Sequence, residues 1–118
     1  MSTDVYIKSG EQPRYFSFSG TNSTTSAASS TAVYKESPFS SFQVIVSGVG
    51  AVSASVDIQV SNENATGQGT NANWITIGTI APSGTTTATD GFTTVAPWRF
   101  VRAKVTAVTG TAEVIMGV

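Results

Sequence analysis

The stretch PWRFVRAK, residues 97–104, carries three of the six basic side chains of this 118-residue chain. Arg99, Arg102 and Lys104 stand there beside Trp98 and Phe100. Guanidinium and ammonium groups interleaved with aromatic rings bind by donating hydrogen bonds and by offering ring faces. The chemistry open to them is recognition of an anion, a sugar, a nucleic acid or an acidic partner surface.

Catalysis finds little material. The chain has no His and no Cys, so the usual general base, thiol nucleophile and soft metal ligand are missing. Serines are plentiful, but only Lys8, Lys35 and Lys104 could activate one, and none sits in a recognisable motif. The seven carboxylates are scattered. Asp57 and Glu113 fall on regular strands, and Asp90 precedes Gly91 as turn residues do. No GxGxxG or GxxxxGK[ST] pattern occurs. SNENATG (61–67) offers oxygen ligands but lacks the acidic density of a calcium loop. The expectation is a protein without catalytic residues, metal or cofactor.

Composition narrows the partners. Net charge is −1 and only 11% of residues are charged, whereas a nucleic-acid binder shows a basic excess. No nucleic-acid partner is expected. No apolar run approaches 18 residues, so no membrane partner is expected either. The first fifteen residues are polar throughout and read as no secretory signal. Absence of Cys points towards folding in a reducing cytoplasm. Ser and Thr number 16 and 18, and there is no Leu. Thr and Val favour strands, and no window has a helix-forming mixture.

The elements that must position the basic stretch follow from a period of two. In 41–47, Phe42, Val44 and Val46 share one face, leaving Ile45 on the other. In 52–61, Val52, Ala54, Val56, Ile58 and Val60 alternate with polar residues over ten positions, which marks a strand with one buried face. SGVGA (47–51) between them reads as a hairpin turn. WITIGTI (74–80) reads as a strand bent at Gly78. NENATGQGTNAN (62–73) and APSGTTTATDG (81–91) read as connections. Residues 100–108 form a strand, with 112–118 as its hairpin partner. The expected fold is all-β, an antiparallel β-sandwich or jelly roll of about six to eight strands.

Two segments divide the chain: a body over 39–118 and an irregular Ser/Thr-rich N-terminal segment over 1–38. The latter holds possible short strands at VYIK (5–8) and RYFSF (14–18). Residues 20–32 have no large apolar side chain, so hydrophobic burial cannot order them. Order must come from hydrogen bonds to a surface already in place, either the body or neighbouring subunits. Thr24 and Thr25 are the contact candidates there.

Alternation then places Val101, Ala103, Val105 and Ala107 inward, and Phe100, Arg102, Lys104 and Thr106 outward. Val56, Ile58, Val101 and Val105 are the candidate core. Two readings of the outward set remain: a solvated face whose charges block edge pairing, or a basic and aromatic patch against a partner. The partner-contact candidates are Trp98, Arg99, Phe100, Arg102, Lys104 and Ile45, with Thr24 and Thr25. Trp98, after Pro97 and before a core strand, reads as a plug at one end of the body.

Residues 52–118 resemble small all-β virion proteins of tailed bacteriophages. The likeness rests on Ser61-Asn62, on Asn73-Trp74 before a strand, and on Pro97-Trp98-Arg99-Phe100-Val101-Arg102-Ala103-Lys104-Val105. It is strongest to capsid decoration (cement) proteins. It implies a structural protein on the capsid exterior of the virion, made in the host bacterial cytoplasm. Its partners would be the major capsid protein and copies of itself, as a dimer or trimer bridging neighbouring capsid subunits. Related sandwiches serve as tail or fibre modules and as adaptors between tail parts. The alternative is such a module, binding host glycans through Trp74, Trp98 and loop 62–73.

Overall fold

The computed structural model describes residues 13–35, 37–63 and 73–117. VYIK (5–8) and most of loop 62–73 lie outside the described residues. The strands are β1 (Pro13–Tyr15), β2 (Ser23–Thr24), β3 (Ala28–Ser29), β4 (Val33–Tyr34), β5 (Phe39–Ser61), β6 (Ile75–Ile80), β7 (Ser83–Val95), β8 (Phe100–Thr109) and β9 (Thr111–Gly117). All nine strands of the described residues belong to one hydrogen-bonded antiparallel sheet.

The 23-residue β5 is its spine. Its first half pairs with β7 on one side and β9 on the other, from Ser41↔Thr93 and Ser41↔Gly117 to Ser47↔Thr87 and Ser47↔Thr111. Its second half pairs with β6 and β8, through Asp57↔Thr79 and Asp57↔Lys104. Residues 13–34 run along the outer edges of β9 and β8. In effect four long ribbons lie side by side, with β5 bent near its middle and the others broken there.

That interruption corrects both expected hairpins. SGVGA does not reverse the chain, and 41–47 and 52–61 are one bent strand rather than two paired ones. Between Ser47 and Ala51 the spine advances four residues while β7 advances two, from Thr87 to Thr85. Such an excess bends a strand and sharpens its twist. Val49 stands fully exposed at the corner, and Gly50 and Gly110 supply positive φ of 81° and 106°. A Cβ on Gly110 would lie 2.5 Å from the Ser47 carbonyl oxygen, so both contact and φ require glycine. β8 and β9 likewise pair with successive halves of β5, with the corner at Gly110 between them.

The bend turns the two inner faces towards one core. Phe42, Val44, Val46, Val114 and Met116 come from one half; Val56, Ile58, Val60, Val101 and Val105 come from the other. None is more than 2% exposed. Phe92 of β7 packs its ring against the backbone of Gly78 in β6, where a Cβ would lie 2.7 Å from the ring. It also meets Phe42 at 5.2 Å between centroids. Gly78 adjoins a register shift opposite Ile58/Gln59, as the bent-strand reading expects. Each buried Val or Ile contributes roughly 1.5–3 kcal/mol.

The all-β antiparallel class is therefore present as a single curled sheet, not as two separately hydrogen-bonded sheets. Among the described residues the strand number exceeds six to eight because residues 13–34 pair in four short pieces. β7 is a further difference: most of the expected loop 81–91 is a strand. Its Thr-rich sequence suits a pleated surface, and only its partner β5 reveals it.

The low-complexity stretch is ordered by the chain's own sheet. Ser30 N donates to Ala103 O at 2.8 Å, Ala103 N donates to Ser30 Oγ at 2.9 Å, and Thr31 N donates to Ser17 O at 3.0 Å. Phe16 and Phe18, just before it, are buried in the core. Main-chain and hydroxyl hydrogen bonds supply the order, as the composition requires, and the surface they use is β8 and β9.

Candidate docking face

The outward residues of β8 meet the outward residues of β5 and β6 on the second half of the sheet. Gln59 stands opposite Arg102 and Thr76, and Asp57 opposite Lys104 and Thr79. Arg102 Nε donates to Gln59 Oε1 at 2.8 Å, and Gln59 Nε2 donates to Thr76 Oγ1 at 3.3 Å. The Arg102 guanidinium lies 4.5 Å from the centroid of the Trp74 ring. Trp74, Arg102, Gln59 and Thr76 form one connected array, fixed before any partner arrives.

The array corrects one expectation. Arg102 is half-buried rather than exposed. Burial draws its guanidinium below the ordinary arginine range, although arginine keeps its charge in proteins. Gln59, outward by register, is itself buried. Lys104 is exposed, as expected. Asp57 Oδ1 accepts from Thr79 Oγ1 at 2.8 Å. Phe100 is half-buried and meets Tyr34 edge-on, at 5.8 Å and 63°. Tyr34 is 52% exposed. One face thus carries Trp74, Phe100, Tyr34, Arg102 and Lys104, with Asp57 the acidic member.

Inward alternation on β8 holds for Val101, Ala103 and Val105 and then fails. The register slips between Ser55 and Val56, so Ser55 faces Ala107 while Val56 faces Val105. Thr106 is the extra residue. Ala107 is consequently exposed, and Val108 packs against the core in its place.

Trp98 and Arg99 lie at the end of this face. Trp98 is half-buried against the core, in keeping with a plug. Its loop is tied down on several sides: Ala96 N donates to Pro38 O, Trp98 N to Ala96 O, Arg99 N to Asn62 Oδ1, and Lys35 N to Arg99 O. The Arg99 side chain is exposed. Lys35 is buried, with Nζ donating to Ser37 O and Ser40 Oγ.

The other candidates are elsewhere. Ile45 is half-buried on the outer face of the first half, between Thr89 and Glu113. Thr24 pairs with Ala112 in β2, and Thr25 is exposed just beyond it. Sequence reasoning missed the contributions of Gln59, Tyr34 and the Trp74–Arg102 contact. Trp74 directly preceding a strand was the available signal, but its partner depended on the β5–β6 register.

No protein-family model matches the chain, and no curated protein matches it by sequence. Among solved structures, the fold is similar to the crystal structure of the SPBc2 prophage-derived protein YomS. The TM-score is 0.53 at 17% identity, over 96% of each chain. The likeness is one of overall fold and runs over nearly the whole of both chains.

Proposed function

We propose that this chain is a non-enzymatic structural protein of a bacteriophage particle. It sits on the capsid exterior and bridges neighbouring capsid subunits, acting as a dimer or trimer. The observation that carries the reading is the preformed array of Trp74, Arg102 and Gln59, extended by Phe100, Tyr34 and Lys104. Rigid aromatic and arginine side chains dominate binding at protein interfaces because little entropy is lost on docking. The side chains gathered there are donors and ring faces, suited to holding a surface. A fold shared with a prophage-derived protein supports the phage setting.

The test is decoration of empty shells assembled from the major capsid protein of the same phage. The pair Arg99→Glu and Lys104→Glu changes exposed charges and leaves the Arg102 array in place. Shell occupancy should fall, and the wild-type protein should bind less tightly as salt rises. Normal decoration by the double variant at both low and high salt would leave Lys104 as a solvated charge on a strand paired on both sides, and remove the docking role.

A further inference from the structure

The two tryptophans are differently used, and the difference points to a second site. The Trp74 ring is engaged by Arg102 on the flat of the sheet. Trp98 instead forms a wall shared by two hollows. One, about 310 Å³, is lined by Tyr34, Pro38, Asn62, Pro97 and Arg99 among others. The other, about 360 Å³, adds Ser61, Glu63, Asn73 and Ile75. Each reaches the lower end of small-molecule site volumes. We infer that Trp98 and the hollows beside it form an oligosaccharide-binding site, in which one sugar ring stacks on the indole within reach of Arg99 and Asn62 and the next ring lies in the second hollow beside Glu63.

The polar groups suit that ligand. The Arg99 side chain makes no hydrogen bond to another described residue. Asn62 uses Oδ1 to hold Arg99 N at 2.9 Å, which leaves its amide donors to a ligand. Glu63 accepts from Asn73 N through Oε2 at 2.9 Å, which leaves its second oxygen to a ligand. A guanidinium lining one hollow and a carboxylate lining the other would work against a nucleotide or an acidic peptide. Linked polyhydroxylated rings satisfy both, because each hydroxyl donates and accepts. The C–H face of one ring covers the apolar indole. The wall that carries Trp98 and Arg99 is tied down: Trp98 N donates to Ala96 O at 2.7 Å across Pro97, and Lys35 N donates to Arg99 O at 2.8 Å. Ordering cost on binding is correspondingly small.

The site shares Tyr34 and Arg99 with the edge of the docking face but uses neither Trp74 nor Arg102, and it needs no shell, so the purified protein alone can test it. A printed array of neutral hexose, hexosamine and uronate oligosaccharides would supply the probe. Any hit would be titrated while following the indole N–H signals of the two tryptophans by NMR. The expected result is binding that moves the Trp98 indole signal and leaves that of Trp74 in place. Arg99→Ser and Glu63→Gln alter exposed side chains and should each weaken binding about tenfold. Trp98→Phe, which keeps an apolar plug, should weaken it further. No saccharide bound at millimolar concentration would overturn the inference. So would a hit that moves only Trp74, or one indifferent to Arg99→Ser and Glu63→Gln.

Discussion

The two halves of β5 have the same inner face and opposite outer ones. Inwardly, Val44 and Val46 of the first half correspond to Val56 and Val60 of the second, all fully buried. Outwardly, the first half shows Gln43, Ile45 and Ser47 beside Thr89, Thr87 and Glu113. The second shows Asp57 and Gln59 beside Lys104 and Arg102, capped by Trp74. One strand thus builds one core and two unlike surfaces. Fold is carried by the inward set, and the proposed docking role by a handful of outward residues on one half.

The strongest way to break that comparison is to show that the inner faces are not equivalent. Val44→Asp and Val56→Asp each bury a charge with no partner, so each should cost about 4 kcal/mol or more and abolish cooperative thermal unfolding. A variant of either kind with an unchanged melting temperature would mean that its half does not face the core. The milder Val44→Ala and Val56→Ala should cost roughly 1–3 kcal/mol apiece in urea denaturation.

The corner that joins the halves comes next. Gly110→Ala places a Cβ against the Ser47 carbonyl at φ 106°. A loss of about 2–3 kcal/mol in chemical denaturation is expected. An alanine tolerated at no cost would show that the corner is not pinned there.

Outer-face changes sharpen the contrast between surfaces. Arg102→Ala removes the partner of the buried Gln59 carbonyl and the cation over Trp74, so it should cost about 1–2 kcal/mol. Ile45→Ser, in the equivalent outward setting of the first half, should cost less than Arg102→Ala. The smallest effect belongs to Lys104→Ser, which should stay within about 0.5 kcal/mol of wild type by thermal melting. Equal costs for Arg102→Ala and Lys104→Ser would dissolve the distinction between a built array and a solvated charge.

What could be read from the residues, and what could not, follows the same geometry. Alternation over 52–60 and 101–105 named the inward valines, because a period of two is local to a strand. It failed at Ala107, since one extra residue at Thr106 reverses every side chain after it and leaves no mark in a Thr-Ala-Val sequence. SGVGA looked like a reversal because glycines at positive φ serve corners and turns alike. Only the pairing of both halves with β7 and β9 or β8 distinguishes the two. Residues 81–91, most of which belong to β7, looked like a loop because their apolar partners are on β5. The docking face was legible in its charges, Arg102 and Lys104, but not in their different settings. Those depend on Trp74 arriving from a strand that meets β8 only across β5. Residues 20–32 were correctly denied hydrophobic order, while the sheet edge that orders them was one of two open possibilities.

An image of the assembled virion tests the central claim most directly. At a resolution that traces strands, a cryo-EM reconstruction should show this protein on the outside of the capsid. The face bearing Trp74, Phe100 and Lys104 should lie against the major capsid protein, with the Ile45 face turned away. Density for the chain on the tail instead, or on the capsid with the Ile45 face against the shell, would contradict the account.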